Sequence, residues 1–300
     1  MIVEYFYLFS YKAFAFFIKT LPPSWLKKGI HALARFAYLA SASRRQVIHA
    51  NLSVCFPKMD ESEKKAIGIR SYQNLLHGIA GFIKREEQNK KEILQDIHFE
   101  NRDILDDILA NKEPVILITA HFGVWEILPS AIALGFDIPL STVGRELDSN
   151  LMQRYLKKGR EQVGVQLINK RGALKGMIKA MGEGRILGLL IDQSIPKRLS
   201  VDVTLFKKTV TQTPSVSILA RKYKAKIVPI FITSQDFKHH TITCYPPIMI
   251  DENLDKEADI KRLNQAQADI LQSAIQARPD EWFWSHKRFK VYDKEIYHDR

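Results

Sequence analysis

Residues 115–134 read VILITAHFGVWEILPSAIAL, and the character of the chain changes along this stretch. Residues 115–120 are apolar and rich in β-branched side chains, which predicts a buried strand of a parallel sheet. The following segment predicts a helix that ends at Gly135. His121 and Glu126 are its ionisable residues, and a charge in so apolar a segment needs a partner or a function. The stretch therefore predicts a strand–helix unit with a candidate site at the junction.

The same alternation of strands and helices continues to the C-terminus. Further strands are predicted at residues 137–143, 165–169, 185–192, 226–232 and 241–245, with helices at 150–164, 172–184, 213–225 and 256–277. This order predicts an α/β fold, a mixed and largely parallel sheet flanked by helices. The sequence contains no internal repeat and no glycine-rich phosphate-binding loop.

The N-terminal part has a different composition. Residues 1–21 are aromatic and aliphatic, and Pro22 and Pro23 follow them. The segment is too aromatic and too interrupted for a signal peptide, so we expect a helical, membrane-associated anchor that either spans the bilayer or lies in its interface. A buried core helix is the alternative. Residues 22–97 are predicted to be helical and to form one continuous domain with an α/β catalytic region at 98–300.

Composition limits the partners. The net charge of +12 over 300 residues favours an anionic partner, which can be nucleic acid, acidic lipid or an acidic protein. The basic residues that follow the anchor predict that the bulk of the chain lies on the cytoplasmic side of the membrane. Cys55 and Cys244 lie far apart and outside any metal-binding pattern, so reduced thiols are expected rather than a disulfide framework or a zinc site.

His121 stands where open α/β sheets commonly place ligand chemistry, at the C-terminal end of a strand. If the chain turns at Gly123, Glu126 can reach back to the imidazole. A carboxylate bonded to one ring nitrogen raises the basicity of the other, which can then take a proton from a substrate hydroxyl. Because residues 119–126 contain no serine or cysteine, we expect direct attack without a covalent acyl-enzyme. The alternative is a core histidine beside an exposed glutamate.

Several blocks of sequence carry a resemblance to a known family. TAHFGVWE at residues 119–126 is similar to the His-x4-Glu/Asp block of the lysophospholipid and glycerolipid acyltransferases. More specifically, nearly the whole chain resembles the bacterial lipid A late acyltransferases. The further blocks are ANLSVCFPKMDESEKK with Asn51, Leu52, Phe56 and Pro57, GLLIDQSI with Asp192 and Gln193, TPSVSILARKYKAKIVPIF, and PDEWFWSHKRFK.

The resemblance implies roles for particular residues. His121 would be the general base and Glu126 its orienting partner. Arg145 would bind a phosphate or the developing oxyanion, with a surface arginine as the alternative. Asp192 and Gln193 would help to hold the site or the substrate, although a turn or helix-capping role fits Asp192 equally well.

The C-terminal block and one loop complete the resemblance. Trp284 and Arg288 belong to an aromatic and basic cluster expected to pack on the core and contact lipid headgroups; the alternative is a packed C-terminal tail. The family commonly has a Phe-Phe-Gly-like turn after the Asp-Gln strand. This chain has Leu205, Phe206 and Lys207 there and no glycine, which leaves the shape of the loop open.

The resemblance implies an enzyme of lipid A and lipopolysaccharide biosynthesis at the inner membrane of a Gram-negative bacterium. It would transfer a fatty acyl chain from an acyl carrier protein thioester to a 3-hydroxyacyl hydroxyl of the Kdo-lipid A precursor. The expected partners are acyl carrier protein, the lipid A precursor and inner-membrane phospholipid. No metal or other cofactor is expected, since the thioester is already an activated carbonyl.

Two other functions remain open at this point. One is a lysophospholipid or glycolipid acyltransferase that uses acyl-CoA. The other is a non-enzymatic protein that binds an anionic membrane or nucleic acid. Because the basic residues are spread along the chain and no nucleic-acid motif is present, no nucleic-acid partner is expected.

Overall fold

The computed structural model describes residues 2–85, 88–145 and 149–297. The strands within these ranges are β1 (Ile97–Glu100), β2 (Val115–Thr119), β3 (Leu140–Gly144), β4 (Val165–Asn169), β5 (Ile186–Leu190), β6 (Val201–Leu205), β7 (Lys208–Gln212), β8 (Lys226–Ser234) and β9 (His240–Cys244). The helices are α1 (Ile2–Thr20), α2 (Pro23–Ala40), α3 (Ala42–Cys55), α4 (Glu61–Arg85), α5 (Lys90–Leu94), α6 (Asp103–Ala110), α7 (Leu128–Gly135), α8 (Asn150–Gln162), α9 (Ala173–Gly182), α10 (Ser215–Tyr223) and α11 (Lys256–Ala277).

A seven-stranded sheet forms the centre of the fold, in the order β1-β9-β8-β2-β5-β3-β4. The pairings from β8 through β2, β5 and β3 to β4 are parallel, β1 is parallel to β9, and β9 runs antiparallel to β8. The prediction of an α/β fold with a mixed, largely parallel sheet flanked by helices is therefore confirmed.

Side-chain alternation gives the sheet two buried faces. Leu117 of β2 packs with Leu128 and Ile132 of α7 on one side, which we call the α7 face. Ile118 of the same strand packs with residues of α9 and α10 on the other side, the α10 face. Both cores meet on β2, which is therefore packed on both of its faces.

The N-terminal helices pack against one another and reach the sheet through α4. Helix α2 and helix α1 both contact α4, and α4 contacts a 3-10 turn at Trp125–Ile127, just after β2. Among the described residues, no helix is both long and apolar enough to cross a membrane. The membrane association of residues 1–21 stays a prediction.

The structure adds elements that the sequence did not reveal. Strand β1 and helix α6 were not predicted, whereas helix α3 lies within residues 22–97, which were predicted to be helical. The segment after Asp192 and Gln193 forms an antiparallel hairpin of β6 and β7. Phe206 and Lys207 make its two-residue turn with φ values of 49° and 61°. Positive φ at both positions matches the type I′ turn that hairpins favour. The loop thus keeps a tight turn although it lacks glycine.

Candidate active site

Two parallel strands bring the central side chains of the site together. β2 and β5 are neighbours in register, with Thr119 opposite Leu190. The amide of Ile191 still donates to the carbonyl of Thr119 at 3.0 Å, so the pairing continues past both strands. Because the strands run in the same direction, His121 and Asp192 leave the sheet side by side at its C-terminal edge.

Asp192 is the direct partner of His121. Its Oδ1 lies 2.8 Å from Nδ1 of His121, and its Oδ2 accepts the backbone N–H of His121 at 3.1 Å. The indole N–H of Trp282 donates to the same Oδ2 at 2.9 Å. Asp192 is only 3% exposed, so these donors replace the water that the carboxylate loses on burial.

The charges of this pair favour the ionised carboxylate and a basic imidazole. Burial by itself raises the pKa of Asp192, but the charge and hydrogen bonds of His121 and the bond from Trp282 outweigh it and bring that pKa to about 2. Burial lowers the pKa of His121, whereas Asp192, with a smaller contribution from Glu126, raises it above the ordinary value. The net effect is a stronger base than a free histidine.

The hydrogen bond to Asp192 also selects the tautomer of His121. Asp192 accepts a hydrogen bond from the N–H at Nδ1. In the neutral ring, Nε2 therefore carries the free lone pair. The side-chain nitrogen of Gln193 lies 3.3 Å from that Nε2. Trp125 and Phe283 flank the imidazole, with ring centroids 5.2 and 6.3 Å away. The imidazole is therefore fixed in orientation, with its basic nitrogen beside Gln193.

Glu126 does not occupy the position expected for it. The chain does turn at Gly123, whose φ is +60°, but Glu126 then lies on the 3-10 turn with its Cβ close to Gly78 of α4. Within the described residues no hydrogen bond joins its carboxylate to the imidazole, and Nδ1 is occupied by Asp192. The expected imidazole partner is therefore corrected from Glu126 to Asp192. The catalytic roles of both residues remain predictions.

A cavity of about 590 Å³ opens beside His121, within the size range typical of ligand sites. Its rim carries polar groups, including His121, Glu126, Gln193 and Arg145, and its walls are mainly apolar side chains of the sheet and helices. Glu126 therefore shares the cavity with His121 without bonding to it. The site combines a partly buried imidazole of raised pKa with room for an apolar ligand.

Arg145 follows β3, the next parallel strand beyond β5. Its side chain is exposed and lines the rim of the cavity, on the same edge of the sheet as His121. Lys170, which follows β4, lies on this rim as well, and its charge lowers the pKa of His121 slightly against the effect of Asp192. Strand ends thus bring positive charge to the mouth of the cavity.

Comparison with known proteins identifies the family. The sequence profile of the bacterial lipid A biosynthesis acyltransferases matches residues 1–291. The protein belongs to this acyltransferase family. It is an enzyme, and its family places its function in lipid A biosynthesis.

Curated relatives of this acyltransferase are distant but cover most of its length. It is 25% identical over 261 residues to a lipid A biosynthesis lauroyltransferase of Escherichia coli K12, covering 86% of this chain and 83% of that protein. It is 25% identical to a lipid A biosynthesis acyltransferase of Haemophilus influenzae, over 87% and 82% of the two chains. A lipid A biosynthesis myristoyltransferase of E. coli K12 is 23% identical, over 91% and 84%.

The C-terminal segment of the acyltransferase packs behind the site. Trp284 is fully buried and donates its indole N–H to the carbonyl of Pro279 at 2.7 Å. Arg288 is 1% exposed and donates to the carbonyl of Thr211 at 2.6 Å. Neither residue lines the cavity, so the structure gives both a core position rather than the expected contact with lipid headgroups.

Asn51 links the N-terminal helices to this C-terminal segment. Its amide nitrogen donates to the carbonyls of Trp284 and His286, each at 2.8 Å, and its side-chain oxygen accepts the hydroxyl of Tyr297 at 2.5 Å. The block that contains Asn51 therefore supports the segment that carries Trp282. That segment in turn positions Asp192.

Sequence reasoning missed the bonds that Asp192 makes with His121 and Trp282 and the rim position of Lys170. One available signal was that Asp192, like His121, directly follows a predicted buried strand. Across the described residues no group of His, Cys, Asp or Glu side chains is arranged as metal ligands. That the reaction needs no metal or other cofactor stays a prediction.

Proposed function

We propose that this acyltransferase moves a fatty acyl chain from an acyl carrier protein thioester to a 3-hydroxyacyl hydroxyl of the Kdo-lipid A precursor. His121 acts as general base, and no covalent enzyme intermediate forms. The observation that carries the proposal is a histidine with Nδ1 bonded to a buried carboxylate and Nε2 beside a largely apolar cavity. This arrangement suits removal of a proton from an alcohol bound next to an acyl chain.

The proposed reaction proceeds by direct attack. Nε2 of His121 takes the hydroxyl proton as the alcohol oxygen bonds to the thioester carbonyl carbon, which gives a tetrahedral oxyanion and an imidazolium. Asp192 stabilises the imidazolium through its bond to Nδ1. Collapse of the intermediate breaks the carbon–sulfur bond, and the imidazolium returns the proton to the thiolate. The products are the new ester and the free thiol.

Two groups at the rim are candidates for binding the oxyanion or a phosphate. Gln193 lies next to Nε2 of His121 and offers amide N–H donors. Arg145 offers a guanidinium that suits a phosphate oxygen or a developing negative charge. Removal of a single oxyanion donor costs on the order of 10²- to 10³-fold in rate in other acyl-transfer enzymes.

The net charge supports acyl carrier protein as the donor. Acyl carrier protein is acidic, and the acceptor bears phosphates and sugar carboxylates, so a chain of net charge +12 attracts both. An acyl-CoA donor with a lysophospholipid or glycolipid acceptor is the competing assignment, and the experiment below tests it directly.

An exposed aromatic surface supports a site at the cytoplasmic face of the inner membrane. We define the aromatic face as the solvent-exposed aromatic side chains of α1 and α2, which are Tyr5, Tyr7, Phe9, Phe14, Phe16, Phe17, Trp25 and Phe36. A concentration of large exposed apolar side chains on two helices is typical of membrane interaction sites, and Trp and Tyr favour the interface with lipid headgroups. Residues 1–21 would then act as an anchor beside the membrane-bound acceptor.

The test is acyl transfer by membranes that contain the full chain. The donors are acyl carrier protein and CoA thioesters of several chain lengths, and the acceptors are the Kdo-bearing tetra-acylated lipid A precursor and a lysophospholipid. We expect a new acylated lipid A product from the acyl carrier protein thioester. His121→Ala should lower kcat by roughly 10²- to 10⁴-fold, the usual contribution of a general base.

His49→Ala is the matched control, since His49 has a half-exposed side chain and lies outside the cavity. It should transfer at the wild-type rate. Full activity in a folded His121→Ala protein would exclude His121 as the base. Product formed from acyl-CoA and lysophospholipid alone would overturn the assigned donor and acceptor.

A further inference from the structure

Basic side chains are concentrated in two loops at the C-terminal edge of the sheet. One loop follows β4 and leads into α9, and the other follows β5 and passes through a 3-10 turn at Lys197–Leu199. We define the basic rim as the exposed cations of these two loops, which are Lys170, Arg171, Lys175, Lys197 and Arg198. Because β2, β5, β3 and β4 are parallel, both loops stand at the same edge as His121.

The cations of the basic rim have no carboxylate partners. Within the part of the chain that the structure describes, no ion pair joins any of the five to an Asp or Glu side chain, and Lys197 lies instead 4.9 Å from the ring centroid of Tyr292. The opposite edge of the sheet differs, because four ion pairs lie along it: Lys226 with Glu113, Lys179 with Glu183, Lys90 with Asp137, and Lys224 with Glu252. Uncompensated positive charge at the C-terminal edge favours an anionic partner there.

Both loops reach the cavity beside His121. Lys170 lines the cavity from the loop after β4, and Gln193 and Ile195 line it from the loop after β5. The side-chain nitrogen of Gln193 lies 3.3 Å from Nε2 of His121. Lys197 follows Gln193 by four residues, which is a span of at most about 14 Å even for fully extended chain. A partner bound to the basic rim therefore stands at the mouth of the cavity.

The two loops are held in place by hydrogen bonds. The amide of Lys170 donates to the carbonyl of Gly144 on β3 at 2.8 Å. The amide of Ile195 donates to Oγ1 of Thr211 on β7 at 3.2 Å, and the same hydroxyl donates to the carbonyl of Ile195 at 2.8 Å. Two leucines stand among the cations, since Leu174 and Leu199 are 45% and 54% exposed. Apolar side chains surrounded by charged ones are typical of protein–protein interfaces.

The basic rim and the aromatic face belong to different sides of the sheet. The crossovers β3–α8–β4 and β4–α9–β5 run in opposite directions along the sheet, so right-handed connections place α8 and α9 on opposite faces. Met177 and Ala180 of α9 pack in the α10-face core. Helix α1, which carries much of the aromatic face, packs on α4 and α8. A membrane bound through the aromatic face therefore leaves the side of α9 accessible to a soluble protein.

We propose that the basic rim is the docking surface for the acidic carrier protein that delivers the acyl thioester. The carrier protein binds on the side of α9, and the flexible arm that ends in the thioester enters the cavity mouth between the two loops. This inference rests on the proposed function, because it assigns a binding surface to the donor of that reaction.

The chemistry of the donor explains why the surface must surround the mouth. A carrier protein is far too large to enter a cavity of about 590 Å³, so only its arm and the acyl chain can reach His121. The protein itself has to bind outside, within reach of the arm. Complementary charge speeds the encounter and fixes the orientation without tight binding, which suits a donor that must leave after each turnover.

A triple charge reversal, Arg171→Glu with Lys175→Glu and Arg198→Glu, tests the docking surface. The three side chains are exposed and do not line the cavity. Repulsion should raise the KM for the acyl carrier protein thioester at least about tenfold. With acyl-pantetheine, which presents the thioester without the protein, kcat/KM should stay within about twofold of the wild type. High salt should narrow the difference between the two proteins, because screening weakens the attraction in the wild type.

The matched control reverses three exposed lysines elsewhere, Lys58→Glu with Lys91→Glu and Lys261→Glu. These lysines lie outside the cavity lining and, among the described residues, form no ion pair. Three reversals of two charges each lower the net charge from +12 to +6 in both variants, so only the position of the change differs. The control should keep the KM for the acyl carrier protein thioester within about twofold of the wild type. Thermal unfolding of each variant checks that the fold is kept.

Equilibrium binding of the acyl carrier protein thioester, without acceptor, gives a readout independent of turnover. Binding should weaken at least about tenfold in the triple variant and stay within about twofold in the control. Equal weakening in both would make net charge the cause, and no weakening in the triple variant would show that the protein docks elsewhere; either result overturns the inference. The same holds if the triple variant loses binding to anionic phospholipid vesicles and keeps the carrier protein.

The outcomes also separate the inference from the proposed function. A wild-type chain that binds the acyl carrier protein thioester at the basic rim but transfers nothing to the lipid A precursor would remove the proposed acceptor and keep the docking surface. A wild-type chain that transfers to that precursor while the triple variant matches the control would keep the proposed function and remove the docking surface.

Discussion

At the scale of single residues, the basicity of His121 depends on one buried carboxylate. Burial is the largest effect and disfavours a charged imidazole, but the charge of Asp192 and its hydrogen bond at 2.8 Å, with a smaller contribution from the charge of Glu126, together outweigh it, so the pKa of His121 lies above its ordinary value of 6.5. Glu126 contributes to this effect only through its charge. The two carboxylates can therefore be told apart by how their removal changes the pH dependence of catalysis.

Asp192→Asn should lower kcat by roughly 10²- to 10⁴-fold and change the pH profile. The base works only when deprotonated, so kcat/KM of the wild type rises with pH through a pKa above 6.5. Without the carboxylate, the effect of burial dominates and the pKa of His121 falls. The rise of kcat/KM with pH should therefore occur at a lower pH than in the wild type. The measurement is kcat/KM for the acceptor lipid at saturating donor thioester, from pH 5 to pH 9.

Glu126→Gln is the comparison for this prediction. Glu126 shares the cavity with His121 but does not bond to the imidazole. Glu126→Gln should therefore lower the pH at which kcat/KM rises by less than Asp192→Asn does. A larger shift in Glu126→Gln than in Asp192→Asn would contradict the partner that the geometry gives to His121.

The position of His121 as a candidate base was predictable from the sequence, but its hydrogen-bond partner was not. His121 stands out as an ionisable group after a buried strand. The bond to Asp192 joins residues separated by 71 positions and depends on β2 and β5 being neighbours, although β3 and β4 lie between them in the chain. The local His-x4-Glu spacing suggested the nearer carboxylate of Glu126 as the partner. The order of the strands in the sheet places Asp192 beside His121 instead.

At the scale of elements, the turn between β2 and α7 depends on Gly123. Its φ of +60° favours glycine, and a Cβ there would lie 2.2 Å from the carbonyl oxygen of Ile232 on β8. Gly123→Ala should therefore destabilise the fold by at least about 1–3 kcal/mol, the usual cost of a strained backbone position. It should also displace His121 and lower transfer activity. Chemical denaturation with a parallel activity assay measures both effects.

Gly182→Ala is the matched control for that prediction. A Cβ at Gly182, at the end of α9, meets no atom within 4 Å. Alanine also has the higher helix propensity, so this variant should be as stable as the wild type or slightly more stable. Equal destabilisation by both substitutions would show that the turn at Gly123 has no special requirement.

The hairpin of β6 and β7 gives a prediction with the opposite sign. Lys207 is exposed with φ of 61°, a conformation that costs non-glycine residues on the order of 1 kcal/mol. Lys207→Gly should raise the free energy of unfolding by about 0.5–1 kcal/mol, since glycine is favoured in type I′ turns. Urea denaturation measures this. A loss of stability would mean that the lysine side chain makes a contribution larger than the backbone strain.

The elements differ in how far the sequence reveals them. β2 and β8 are buried on both faces and β5 mainly on the α10 face, and all three form continuous apolar runs, so they were recognised. β1 is a four-residue edge strand with His98 and Glu100 exposed, β6 alternates apolar with polar residues over only five positions, and β7 has a single apolar residue, Val210. Such short strands form because a neighbouring strand pairs with them. The pairing depends on the tertiary fold and is not visible in the local sequence.

At the scale of the whole molecule, charge and apolar surface suit two different ligands. The net charge of +12 would attract the acidic donor protein and the phosphorylated lipid of the proposed reaction, and it acts over about 8 Å at physiological salt. The aromatic face contributes to binding only when its side chains are in contact with the membrane, because apolar burial has no long-range effect. Because helix α1 packs on α8, which lines the cavity through Gly159 and Arg160, attachment through the aromatic face would hold the cavity near the bilayer surface.

The last prediction concerns the aromatic face. Phe9, Phe16, Trp25 and Phe36 are each 63–72% exposed, so they contribute little to the packing of the protein in water. Replacing all four with serine should leave the unfolding midpoint unchanged. Full burial of a large apolar side chain is worth about 1.5–3 kcal/mol, so partial burial of four in a bilayer predicts at least a roughly hundredfold loss of vesicle binding in the quadruple variant. Cosedimentation with vesicles of anionic phospholipid measures this.

The control for this prediction removes exposed apolar side chains elsewhere. Leu199 and Met249 are 54% and 48% exposed and lie outside α1 and α2. Their replacement with serine should leave vesicle binding unchanged, because they are not part of the aromatic face. High salt should weaken the binding of the quadruple variant more than that of the wild type, since only the electrostatic attraction would then remain. If the quadruple variant binds vesicles as tightly as the wild type, α1 and α2 do not attach the enzyme to the membrane through this face, and the acceptor must reach the cavity by another route.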